Sequence, residues 1–249
     1  MRYSGSKRKF AKELIPIITK RLTDDAEFVD AFCGGCNILS DVDHRRKKGI
    51  ELNKYVLALW QYIKEHNGMG DIPEFVDEET YYAIKWDYEN QKGVYPDWLI
   101  GYVGTCCSYG GAWFNGYARY NPNKNENHVR EAYNGLRKQV SKFKHMATTV
   151  FLNCSYCDVA YAPGTVVYCD PPYAGTKKYE SDFDHEKFWN WVREQYSKGV
   201  FVYVSEYTAP SDFKCIWMKS KKDGMGTTKF GVEQTNKVEK LFVYDSQEF

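Results

Sequence analysis

Short apolar runs, most of them too brief for a helix, recur along this chain between polar turns. Residues 27–32, Gly49–Leu52, Val150–Asn153, Thr165–Cys169, Val200–Val204, Phe213–Met218 and Leu241–Tyr244 are brief and rich in β-branched or aromatic residues, the pattern of buried strands. Between them the period lengthens. Leu14, Ile15, Ile18 and Leu22 predict a helix kinked at Pro16. Asn53 is placed to cap a helix whose inner face is Val56, Leu57, Trp60 and Ile63. Val129, Ala132, Tyr133, Leu136, Val140 and Phe143 define another, with Arg130, Arg137, Lys138 and Lys142 outside. That outer charge reads first as a solvated face and second as a phosphate contact. A last helix, capped by Asp184 and closed by Gly199, holds Phe188, Val192 and Tyr196. Strands alternating with helices predict an α/β fold. From about 66 to 150 the strand pattern lapses into Tyr/Trp-rich helical and loop segments, read as an insert. The α/β domain is then 1–65 with 151–249.

The strand at Thr165–Cys169 leads into Asp170-Pro171-Pro172-Tyr173. Two prolines cannot extend a ladder, so Asp170 stands at the carboxyl end of a buried strand, where open α/β sheets place their ligands. The first strand leads into Phe32-Cys33-Gly34-Gly35, a turn at which a ligand can approach the backbone closely. Glu51 follows Asp30 at the offset where nucleotide-binding folds place a ribose-gripping carboxylate. Within the insert, residues 110–121 interleave Arg119 with Tyr117 and Tyr120, which suits phosphate contact, base-edge reading or wedging between base pairs.

Composition narrows little. Lys and Arg number 34 against 33 acids, so any basic surface is local, at Arg2–Lys12, Arg45–Lys48 and Lys219–Lys222. Aromatics make up 17% of the 249 residues, which suits base stacking as well as packing. Neither a membrane span nor a signal-peptide core is expected, and a cytoplasmic protein with free thiols follows. The pairs Cys33/Cys36 and Cys154/Cys157 could together imitate a four-thiolate zinc site, but each lies in a segment with another explanation, so no metal is expected.

Taken together and in order, Tyr3-Ser-Gly-Ser-Lys7, Asp30 to Gly35, Glu51-Leu-Asn53, Phe114-Asn-Gly116 with Arg119 and Asn121, Ser155-Tyr156 and Asp170 to Tyr173 resemble the Dam-type DNA adenine methyltransferases. The resemblance implies a Rossmann-like methyltransferase sheet with a mainly helical target-recognition insert. It also implies S-adenosylmethionine as methyl donor and double-stranded DNA as partner. Tyr3, Lys7, Asp30, Phe32, Gly34, Gly35, Glu51, Tyr156 and Asp170 would line the cofactor, and Phe114, Asn115, Arg119 and Asn121 would contact DNA. Asp170, Pro171, Pro172 and Tyr173 would carry the chemistry. Tyr3 stands where Trp is frequent, Glu51 where Asp is usual and Asp30 where Glu is usual. The Phe-Asn-x-Pro-x-Gly segment common in the insert is replaced by Pro122–His128, so the target sequence stays open. So does a restriction endonuclease partner, which activity would not require. An RNA adenine or DNA cytosine-N4 methyltransferase, and a catalytically silent DNA-binding relative, are the alternatives.

Overall fold

Asp30, at the end of the first strand, pairs in parallel register with Gly49 of the second. The turns that follow both strands therefore emerge side by side. The computed structural model describes residues 1–121, 127–173, 183–220 and 238–245. It forms two compact units, Met1–Val159 and Ala160–Phe249.

The first unit contains α1 (Ala11–Ile18), β1 (Phe28–Asp30), β2 (Lys47–Ile50), α2 (Lys54–Glu65), α3 (Glu78–Asn90), α4 (Asp97–Cys106), α5 (His128–Val140) and β3 (Val150–Leu152). Its strands run parallel in the order β3-β2-β1. Asn53 caps α2 as expected, its Oδ1 accepting from the backbone N–H of Tyr55 at 3.0 Å and Val56 at 3.2 Å. Helix α4 lies hard against α2: a Cβ on Gly101 would overlap the Tyr55 carbonyl, so only glycine permits this approach.

Three expectations in this unit need correction. The first helix stops at Ile18 and does not reach Leu22; Pro16 cannot donate within it, and Thr19 and Lys20 already hydrogen-bond back to Ile15 and Ile17. Helix α5 ends at Val140, before Lys142 and Phe143, and Gln139 is buried on it while Val140 is half-buried. Lys47, counted as surface charge, is buried. Its Nζ donates to the carbonyls of Leu39 and Val42, each at 2.9 Å, and Lys144 at 2.6 Å. It also lies 4.8 Å from the centre of the Phe143 ring. Three acceptors for three N–H groups explain how an ammonium is held there. Leu39 lies in successive turns over 34–41, and Val42 directly follows them. Cys36 has φ 50 there, and Lys47 serves the carbonyls that a continued helix would have paired.

The second unit contains β4 (Val166–Cys169), α6 (His185–Ser197), β5 (Phe201–Glu206), β6 (Phe213–Ser220) and β7 (Val238–Tyr244). Strands β4 and β5 run parallel. Strand β7 lies antiparallel between β5 and β6. Every residue of β4 is buried, and Phe188, Trp189, Trp191 and Val192 form the inner face of α6. Each such side chain contributes about 1.5–3 kcal/mol by leaving water. Tyr168 shares a 2.8 Å hydrogen bond with Ser205 inside this core. Asp184 caps α6 as expected, accepting from the Lys187 N–H at 2.9 Å. Residues 122–126, 174–182 and 221–237 lie outside the described residues.

Candidate active site

The first unit brings Tyr3, Phe32, Gly34, Gly35, Glu51 and Tyr156 together around one glycine turn. Because β1 and β2 end in register, Cys33 donates its N–H to the Ile50 carbonyl at 2.9 Å, which sets the turn beside Glu51. Glu51 Oε2 accepts from the Gly34 N–H at 3.0 Å and Oε1 from the Asn53 N–H at 2.8 Å. Burial of the carboxyl raises its pKa above the ordinary glutamate range, and those backbone N–H groups partly offset the rise. Gly34 has φ +41, and a Cβ there would meet the Tyr3 ring at 2.6 Å. A Cβ on Gly35 would meet Tyr3 Cβ at 2.7 Å. Tyr3 thus lies directly over the two glycines. Trp60 Nε1 donates to the Gly34 carbonyl at 2.9 Å, fixing the turn from below.

Phe32 and Tyr156 face each other with ring centres 5.3 Å apart. Tyr156 is buried in the short turn after β3, held by a reciprocal capping box between Ser155 and Asp158. Asp30 is buried at the end of β1. Lys7 is buried too, its Nζ within 3.3 Å of the Gly5 carbonyl. Gln139 was missed by sequence reading. Its Nε2 donates to the carbonyls of Gly35 and Cys36, each at 3.0 Å, and reaches Ser40 Oγ at 3.2 Å, while its Oε1 accepts from the Met1 amine. Only the run of apolar positions on α5 hinted that position 139 faces inward.

A glycine turn closed by an aromatic ring, a carboxylate on the adjoining strand end and an aromatic pair suit a nucleoside-bearing cofactor. Glu51 retains lone pairs for ribose hydroxyls beyond the two N–H groups it accepts.

The second unit holds the Asp-Pro-Pro-Tyr turn at the carboxyl end of β4. Asp170 is half-buried, Pro171 buried, and Pro172 and Tyr173 half-buried. Tyr173 donates its hydroxyl to Glu239 Oε2 at 2.9 Å. Its ring stands roughly perpendicular to that of Tyr207, at 4.4 Å between centres. Burial, then the carboxylates of Asp170 and Glu239, push the Tyr173 hydroxyl well above the ordinary phenol range, so it remains a donor. Glu239, buried on β7, was not among the expected residues.

The residues expected to contact DNA divide. Phe114, with φ 43, is buried among Tyr88, Trp113 and Tyr81, at ring-centre distances of 5.1, 5.0 and 5.7 Å. Asn115 and Arg119 are exposed and Asn121 half-buried. Arg119 forks onto Glu78, Nε at 3.0 Å and Nη2 at 2.5 Å from Oε1. All eight cysteines are free thiols, with Cys33 and Cys36 buried and Cys157 exposed. Among the described residues no group of histidines, cysteines and acids is arranged to hold a metal. No helix among them is long and apolar enough to cross a membrane.

Residues 3–238 match the family described as D12 class N6 adenine-specific DNA methyltransferase. A curated relative, the retron Ec67 DNA adenine methylase of Escherichia coli, is 26% identical over 205 residues, covering 71% of this chain and 64% of the relative. The chain therefore spans a little under two thirds of that relative's length. Among solved structures, a protein of Escherichia coli named for methyltransferase activity, yhhF, aligns at TM-score 0.37 and 10% identity, over 95% of this chain and 85% of the other. SMU.472, also named for methyltransferase activity and solved with SAH, aligns at 0.38 and 11%, over 98% and 54%. Both likenesses are too loose to bear on the fold.

Proposed function

The chain belongs to the D12 class of N6-adenine-specific DNA methyltransferases, and on that footing we propose that it methylates N6 of adenine in duplex DNA, with S-adenosylmethionine as donor. The observation that carries this reading is the Asp170–Tyr173 turn, which leaves a fully buried strand with its tyrosine pinned by Glu239.

Adenine N6 is a weak nucleophile because its lone pair is delocalised into the ring. Asp170 and the Pro171 carbonyl would accept the two N6 hydrogens, drawing the nitrogen toward tetrahedral geometry and localising the lone pair. Bound S-adenosylmethionine supplies an electrophilic methyl group. Transfer is direct, so this chain contributes positioning and electrostatics and no covalent intermediate. The N6 proton released on transfer passes to Asp170 or through it to water. Exposing N6 means flipping the adenine out of the duplex, at a cost of a few kcal/mol, part of which stacking on Tyr173 would recover.

Tyr3, Lys7, Asp30, Phe32, Gly34, Gly35, Glu51 and Tyr156 would hold the cofactor in the first unit. Residues 66–150 would form the target-recognition insert on a catalytic domain of 1–65 and 151–249. Asn115, Arg119 and Asn121 would face DNA there, while the burial of Phe114 suits it to anchoring their loop. Cytoplasmic location follows from a DNA substrate.

The test is acceptor preference. Purified protein with isotopically labelled S-adenosylmethionine is offered duplex DNA, RNA, and duplex DNA containing cytosine but no adenine. Label in adenine of duplex DNA alone supports the reading. Label in RNA or in cytosine assigns one of the alternatives, and cofactor binding without transfer to any acceptor leaves a silent relative.

A further inference from the structure

Behind the glycine turn, on the first unit, is a small pocket of about 30 Å³ at which Arg8, Lys138 and Lys142 converge from two distant parts of the chain. Among the described residues none of the three forms an ion pair. Asp41 is the single carboxylate lining the pocket. Its inner wall is polar: Ser40 and the buried amides of Asn37 and Gln139. Gln139 is committed to the glycine turn. Asn37 is not. Its amide is 7% exposed, and its Oδ1 makes no hydrogen bond among the described residues.

We propose that this pocket is a phosphate-contact site for the backbone of a bound nucleic acid. Three cations and the Ser40 hydroxyl, whose hydrogen stays available because its oxygen accepts from Gln139, supply the donors that take a phosphate oxygen, while Asn37 Oδ1 is itself an acceptor and adds none. The volume admits about one water-sized group, so it cannot enclose a free oxyanion. It suits one oxygen of a phosphodiester whose bulk stays outside, held in place by the rest of the strand. A contact of this kind carries no sequence information; it sets register and orientation on the duplex. Its wall residue Gln139 also holds Gly35 and Cys36, so the site is one side chain away from the candidate cofactor turn. The proposal rests on the DNA reading above for the identity of the strand.

The experiment uses the full chain and a fluorescent duplex oligonucleotide, with affinity measured by anisotropy across salt concentrations. Each phosphate contact contributes roughly 0.9 to the slope of log affinity against log salt. Replacing Arg8, Lys138 and Lys142 together by Gln should make that slope shallower by roughly 1, the share of the one phosphate the pocket holds. Asp41→Asn should act oppositely and tighten binding, which a misfolded variant could not do. An unchanged slope in the triple variant, with wild-type protein methylating DNA, overturns the proposal while leaving the enzyme reading intact. Competition by inorganic phosphate beyond that of chloride at equal ionic strength, abolished by the triple variant, would make the pocket a free-anion site and also overturn it. A wild-type protein that methylates no DNA would instead indict the DNA reading itself.

Discussion

The Tyr173 hydroxyl donates to Glu239 Oε2 across 2.9 Å, tying the last residue of the Asp-Pro-Pro-Tyr turn to the antiparallel strand β7. With the Tyr207 ring roughly perpendicular to it at 4.4 Å between centres, the tyrosine is restrained through both its hydroxyl and its ring. A ring held this way can offer a flipped base a fixed platform.

Tyr173→Phe keeps the ring and removes the tie. It leaves buried Glu239 short of a donor, which costs on the order of 1–3 kcal/mol. Denaturant melts should register that loss, and methyl transfer should fall several-fold with the ring still able to stack. Glu239→Gln, which keeps an acceptor, should stay near wild type in both measurements. Wild-type stability and kinetics in Tyr173→Phe would mean that the contact positions nothing.

Glu51 gives a prediction with a sign in pH. Its carboxyl holds the N–H groups of Gly34 and Asn53, and burial raises its pKa. Over the window from the ordinary glutamate value up to the raised one, the folded state binds more protons than the unfolded state. The group's contribution to stability therefore falls as pH rises through that window. Cofactor affinity should move the other way, since the ionised carboxylate is the better acceptor. Calorimetric binding of S-adenosylmethionine and thermal melts over the same pH series would test both signs. Glu51→Ala should weaken cofactor binding by about tenfold or more, the equivalent of one lost charged hydrogen bond; unaltered affinity would remove Glu51 from the cofactor site.

Lys47 is a folding residue set among functional ones. Lys47→Met fits the space and leaves the carbonyls of Leu39, Val42 and Lys144 without their donor. A loss of about 2 kcal/mol or more is expected in chemical denaturation. Burial lowers its pKa from 10.5 to about 8. Between those values the unfolded state binds more protons, so stability contributed by this group rises with pH across that window. The Met variant should lack that alkaline rise; an identical pH profile would contradict the assignment.

The strands and most helices were legible because each carries its own local signal. Thr165–Cys169 is a dense β-branched run stopped by two prolines, and Asn53 and Asp184 are caps just ahead of helical periodicity. Gly34, Gly35, Glu51 and Asp170 were legible for the same reason, as short motifs just after β1, β2 and β4. What stayed hidden depends on partners far away in sequence. Gln139 reads as one more polar residue on a cationic helix until its amide meets the carbonyls of Gly35 and Cys36. Glu239 reads as an ordinary strand residue until β7 brings it to Tyr173. Lys47 sits within a basic run, and no local pattern reveals three carbonyls converging on it. Phe114 lies in a polar, turn-rich stretch that suggests exposure, yet three aromatic neighbours enclose it.

The central claim is that Asp170 carries methyl transfer to adenine N6 in duplex DNA. The most direct measurement is nucleoside mass spectrometry of duplex DNA after incubation with S-adenosylmethionine and either wild-type protein or Asp170→Ala, with cofactor binding measured on both. The account predicts N6-methyladenine with wild type only, and a folded Asp170→Ala protein that still binds cofactor. Methylated adenine from Asp170→Ala at the wild-type rate, or none from a wild-type protein that binds cofactor, would contradict it.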